Sequence, residues 1–314
     1  MRSLVPVIVL LAAAPVAAQS IGPAATPAFT VAETGEGYFT LQDAVRAIGD
    51  GRGTVRIAPG TYQECAVQDA GEVSFVAERR GGVILDSVAC EQKASLVLRG
   101  RAATVDGIVF QNIQVPDGNG AGIRIEQGDL LVRESLFRDS QSGILSAADP
   151  NGSIRVERST FSGLGRCGGE LSCAHSIYIG DYGTLSVVAS RFERGTGGHY
   201  VKSRAPRIEV TDSSFDDSAG SETNYMIDLS NGASGTIARN MFVQGENKEN
   251  YSAFVTVAAE GRGNDSSALS VTDNQAALVP GLSRRTAFVA DLSGARIRLG
   301  GNRLAPQIEE FQRR

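Results

Sequence analysis

The chain has 314 residues, 37 of them glycine, no tryptophan, and a formal net charge of -5. Glycine above the usual ~7% without a Gly-X-Y period excludes collagen, and 42% hydrophobic with 21% charged residues excludes a disordered chain. No basic run or aromatic–basic interleaving accompanies the net negative charge, which argues against nucleic acid as a partner.

In chain order, Met1 and Arg2 give a positive start, Leu4 to Ala14 is apolar, and Val16, Ala17 and Ala18 offer small residues for cleavage. Residues 1–18 therefore read as an export signal, too short to span a bilayer, with an uncleaved anchor as the alternative. The expected location is periplasmic or secreted. Residues 19–35 read as a linker. Cys65 and Cys90, and then Cys167 and Cys173 in a glycine-rich loop, suit an oxidising compartment. Four cysteines allow three connectivities; sequential pairing is favoured because each pair closes locally. A zinc site competes, but no CxxC occurs and the two histidines do not fall at finger spacing.

Phe110, Phe137, Phe161, Phe192, Phe215 and Phe242 recur at intervals of roughly 23–31 residues, each after two alternating apolar residues and a polar bend. Period-2 patterning repeated at this interval predicts a β-solenoid. Asn240, Asn274 and Asn302 fall at equivalent bends, where stacked amides can hydrogen-bond along the axis. A second strand register precedes each Phe strand. If Ile123, Ile144, Ile177, Val201 and Ile227 point inward, the outward column reads Arg124, Leu145, Tyr178, Lys202, Asp228. Tyr200, Arg204 and Ser230 flank it, and His175, His199 and Tyr225 precede three successive copies of this strand. Insertions at 163–174, 195–198, 216–224, 244–252 and 260–267 mostly lead into the same strands and predict a walled groove. Lys202 with Asp228 also reads as a cross-strand ion pair, and Arg124 as a solvated charge. Asp216 and Asp217 read as a turn.

Residues 39–49 (FTLQDAVRAIG), followed by 55–64 (VRIAPGTYQE), resemble the opening of the pectin-lyase-like superfamily. That resemblance implies an all-β, single-domain, right-handed parallel β-helix over residues 36–304, about nine coils at ~4.8 Å each. It also implies a short helix over the first coil, which Thr40 as N-cap and Leu41, Ala44, Val45 and Ile48 fit. Residues 305–314 are expected as a C-terminal tail or cap.

His199–Ala205 (HYVKSRA), with His175–Tyr178 (HSIY), resembles the active coil of the alginate lyase and chondroitinase B group. The resemblance implies a secreted lyase acting on an acidic, uronate-containing polysaccharide by β-elimination, with a lysine followed by serine as base. Lys202 and His199 are both candidates for the base, and Tyr178 for the proton donor. Arg204, His175 or His199 would stabilise the carboxylate. Tyr200, Tyr225, Asp228, Asn231 and Arg124 are candidate substrate contacts. The group's calcium ligands precede the lysine, where this chain has Gly195, Thr196, Gly197 and Gly198, so no cofactor is expected, with calcium as the alternative. Its arginine acid, one coil later, is replaced by Asp228 and Asn231. A C5-epimerase and a non-catalytic glycan-binding or envelope scaffold are the competing readings. A monomer is expected.

Overall fold

Alternating apolar residues give each short strand one buried face, and a bend every few residues turns the chain onto a new face. A computed structural model describes residues 26–167 and 173–314; the proposed export signal lies outside the described residues. The strands stack into three sheets, here A, B and C, that wind about nine coils of a parallel β-solenoid. One coil runs from Ile177–Ile179 in sheet C through Tyr182–Val188 in sheet A to Arg191–Glu193 in sheet B. The chain then returns to sheet C at Val201–Ser203. These last two sheet C strands are parallel and in register, Ile177 beside Val201 and Tyr178 beside Lys202.

The six phenylalanines form the expected internal column. Phe110 through Phe242 are buried and stack nearly parallel at 4.7–4.9 Å between ring centroids. That separation is one coil spacing, so the coil register places the rings face to face. The bend between sheets A and B carries a second ladder. The backbone N–H groups of Ser213, Asn240 and Asn274 donate to the side-chain amide oxygens of Asn240, Asn274 and Asn302, at 2.9–3.0 Å. Serines continue this ladder toward the N-terminus: Ser135, Ser159 and Ser190 donate their N–H to the next coil's serine hydroxyl. Just before each of these polar residues stands one in the left-handed region, such as Glu134, Arg158, Ala189, Asp212, Arg239 and Asp273. The polar side chain satisfies an amide that the sharp bend removes from both sheets.

Both ends of the stack carry further strands. Within the segment expected as a linker, Phe29–Val31 is a strand, antiparallel to Glu36–Tyr38 and to Arg52–Ile57. At the other end Ile308–Arg313, expected as a tail or cap, pairs parallel with Thr286–Asp291. An open solenoid edge leaves amides unpaired, and these segments satisfy them. The helix Leu41–Ile48 is N-capped by Thr40, which accepts from the Asp43 N–H, and it buries Leu41, Ala44 and Val45. The disulfides pair sequentially, Cys65 with Cys90 and Cys167 with Cys173.

Candidate functional site

Side-chain alternation in sheet C sets the outward column: Arg124, Leu145, Tyr178, Lys202 and Asp228 occupy matching positions on successive strands. One turn earlier in each coil, His175, His199 and Tyr225 stack on one another, with ring centroids 5.0 and 5.6 Å apart. His175 also meets Tyr178 edge-on at 5.4 Å. A cavity of about 540 Å³ brings together His175, His199, Tyr178, Lys202, Arg204 and Arg124. Two larger cavities lie elsewhere, beside Gln114 and Arg166 and beside Tyr251 and Arg314, and neither holds a histidine.

Lys202 is the centre of the charge arrangement. Although on the outward face, it is only 8% exposed. Its Nζ lies 3.2 Å from Asp228 Oδ2 and bonds Glu260 Oε1 on the other side. Burial alone would lower the Lys202 pKa, but Asp228 and Glu260 outweigh it and the pKa rises. The group is an ammonium at neutral pH. Glu260 Oε2 accepts from Arg204, whose Nε donates to Tyr178 Oη at 3.0 Å and whose Nη1 donates to Asn231 Oδ1 at 2.8 Å. Burial would raise the Glu260 pKa, yet Lys202 and Arg204 pull it down.

Both imidazoles are neutral, and their bonds fix the tautomers. The His199 N–H donates to His175 Nδ1 at 3.0 Å, so that nitrogen carries no proton. His199 Nδ1 faces the Tyr225 carbonyl at 3.3 Å; a carbonyl only accepts, so Nδ1 holds the hydrogen and Nε2 the lone pair. Burial, then the Lys202 charge, push His199 down to about 3. His175 is also lowered well below the ordinary range, by burial first and then by His199 and Lys202.

Two candidate substrate contacts, Tyr200 and Asp228, are buried and do not line the cavity. Tyr200 is 1% exposed and points into the core, where it meets Phe192 and Phe215 edge-on. Its hydroxyl donates to Asp217 at 2.7 Å; the bend before the strand reverses the alternation that placed it outside. Asp228 is 2% exposed, its oxygens held by Thr256, Ser230 and Lys202. Tyr225 is covered in part by the His199 ring and accepts from Asn250. Asn231 reaches the site only through Arg204. Arg124 lies on the cavity wall, not out in solvent. Asp216 does form a turn, accepting from the Ser218 N–H. Asp217 also opens a turn, its carbonyl accepting from the Gly220 N–H at 2.9 Å, while its side chain is fully buried against Lys248, at 3.1 Å.

Glu260 escaped the sequence reading. It lies in a loop outside the strand registers, so no periodicity marks it. Where the resembled group has acidic ligands this chain has Gly195–Gly198, and both carboxylates near Lys202 are already bound to cations. Among the described residues no group of three or more metal-ligating side chains converges.

No family model matches the chain, and no curated protein matches it. Among solved structures, it is similar to an alginate lyase from Paenibacillus sp. str. FPU-7, with a TM-score of 0.63 and 15% identity, over 87% of this chain and 94% of that one. It is also similar to AlyGC, a PL6 family alginate lyase, with a TM-score of 0.55 and 15% identity, over 85% of this chain and 39% of that one. The chain thus has the parallel β-solenoid fold of these alginate lyases, the fold that its likeness to the pectin-lyase-like superfamily implied.

Proposed function

We propose that the chain is a secreted or periplasmic lyase that opens a uronate-containing polysaccharide by β-elimination. One observation carries the reading: a neutral imidazole and a phenol share one cavity with two fixed cations, Lys202 and Arg204. The uronate carboxylate would replace the Glu260 carboxylate between those cations. Their charge would stabilise the electron pair left at C5 when its proton departs. The electrons then form the C4=C5 double bond, the C4–O4 bond breaks, and O4 takes a proton.

The retained proton on Lys202 argues against its serving as the base, and supports a role in charge neutralisation. His199 Nε2, which carries the lone pair in this tautomer and lies 3.6 Å from Asp228 Oδ2, is the favoured base. Tyr178 is the favoured acid: its hydroxyl accepts from Arg204, which leaves its own hydrogen available to O4. Calcium has no part in this scheme; Lys202 and Arg204 supply the charge.

The test is incubation with alginate and a panel of other uronate polymers, read by the ultraviolet absorbance of the unsaturated uronate. Absorbance with at least one polymer is expected, with or without a chelator. Chain composition altered at C5 without scission would establish the epimerase instead, and binding without any product the glycan-binding scaffold.

A further inference from the structure

Two neighbouring strands of sheet C are each entered through a histidine, and a disulfide joins the chain just before them. Cys173 stands two residues ahead of His175 and lines the cavity. Its partner Cys167 reaches the next coil, where its Sγ accepts from the Gly198 N–H at 3.2 Å. The following residue is His199, whose own N–H donates to His175 Nδ1 at 3.0 Å. A closed ring therefore runs from Cys173 across the disulfide to Gly198 and His199, and back through His175.

The ring is packed as well as bonded. The segments flanking the disulfide pair with each other, the Ala174 N–H donating to the Arg166 carbonyl at 2.8 Å. Both segments press on the glycine pair before His199. A Cβ at Gly197 would collide with the Cys167 amide, and one at Gly198 with the Ala174 carbonyl and His175 Nδ1. Gly197 and Gly198 have φ of 144° and 60°, values that glycine enters readily and leaves as readily. The Thr196 N–H is held by the Leu164 carbonyl at 2.8 Å, and the Gly198 carbonyl by the Asn224 N–H at 2.7 Å. The Cys167 sulfur adds the tie between this pair and the His175 strand.

As a staple for the fold the bridge is weak. Its cysteines are 6 residues apart in sequence, against 25 for Cys65 and Cys90, and a shorter loop constrains the unfolded chain less.

We infer that the Cys167–Cys173 disulfide positions the histidine pair, and that its reduction by a dithiol disables the site while the solenoid stays folded. The dithiol supplies two electrons and two protons, the S–S bond becomes two thiols, and the reductant leaves as its own disulfide. The effect on turnover rests on the lyase reading, with His199 as base; the effect on the imidazoles does not.

The chain has only two histidines, which makes the test direct. The Cys167→Ser, Cys173→Ser variant keeps Cys65–Cys90 and a hydroxyl able to accept from Gly198, so it removes the tether alone. Nitrogen NMR of the parent should show one tautomer per ring, with hydrogen on His175 Nε2 and on His199 Nδ1. In the variant, or in the parent with dithiothreitol, each ring should become a mixture and titrate closer to ~6.5 as water reaches it. Lys202, Asp228 and Glu260 act on both rings and Lys248 on His199, and none of these is altered. On the best uronate polymer kcat should fall about 10²-fold, with KM little changed. Cys65→Ser, Cys90→Ser should keep the parent's tautomers and turnover until dithiothreitol is added.

Unchanged tautomers after reduction would overturn the inference. So would loss of the solenoid's circular dichroism in Cys167→Ser, Cys173→Ser, which would make the bridge a staple of the fold. Cleavage of no polymer by the parent sinks the lyase reading instead, and the imidazole spectra then decide alone.

Discussion

Asp228 Oδ2 lies 3.2 Å from Lys202 Nζ on the neighbouring strand, and both side chains are almost wholly buried. The aspartate is itself held by the hydroxyls of Thr256 and Ser230, at 2.9 and 2.8 Å. The ammonium is therefore fixed in place and in charge, which is what a carboxylate-neutralising group requires.

Lys202→Gln should lower kcat/KM by about 10²–10³-fold, the usual loss of one preorganised electrostatic donor. Lys202→Arg should recover part of it. Steady-state kinetics on the best uronate polymer reads both. Full activity in Lys202→Gln would remove this residue from the mechanism.

Glu260→Gln frees Lys202 and Arg204 from an internal carboxylate. KM should fall by a few-fold with kcat little changed, since a partly exposed ion pair contributes only ~1 kcal/mol. A rise in KM would instead make Glu260 a substrate contact.

The depressed His199 pKa, about 3 against 6.5 in the unfolded chain, links stability to pH. Between those values the unfolded state binds the extra proton, so stability is full above pH 6.5 and declines as pH falls toward 3. Urea unfolding between pH 7.5 and 5 should show the decline, on the order of a few kcal/mol at most. The slope should flatten in His199→Gln, and an unchanged slope would assign it to other groups.

Asp217 and Lys248 form a fully buried pair, joined by Tyr200 and by Thr223, which donates to Asp217 at 2.8 Å. Asp217→Ala strands the lysine and should cost ~3–5 kcal/mol. The double variant Asp217→Leu, Lys248→Met should be markedly less destabilised than the single one. Denaturant midpoints check both, and equal losses would show that burial of the bare ammonium is not the cause.

Asn274 accepts from the Asn240 backbone and side chain and donates to the Ile237 carbonyl and to Asn302. Asn274→Ala leaves several of these buried groups unpaired and should cost ~1–3 kcal/mol. A thermal melt unchanged from the parent would rule out that contribution.

Much of the fold was legible because strand alternation and coil repetition are local patterns. The Phe column, the asparagine ladder, the sequential disulfides and the register of Tyr178, Lys202 and Asp228 all follow from spacing along the chain. The serine ladder belonged to the same pattern, but serine is too common in turns to stand out. Tyr200 was misplaced because alternation holds only within a strand, and it sits in the bend before one. Phe29–Val31 and Ile308–Arg313 carry little repetition, and only the unpaired sheet edges call for strands there.

The sequence by itself determined the solenoid and which side chains share its outward face, since both depend on near neighbours and a period of two. Only the tertiary structure decided the chemistry of that face. Glu260 meets Lys202 across 58 residues of sequence. Such contacts between a loop and a distant coil leave no periodic trace. They bury Lys202, keep it protonated, and turn an open row of residues into a cavity.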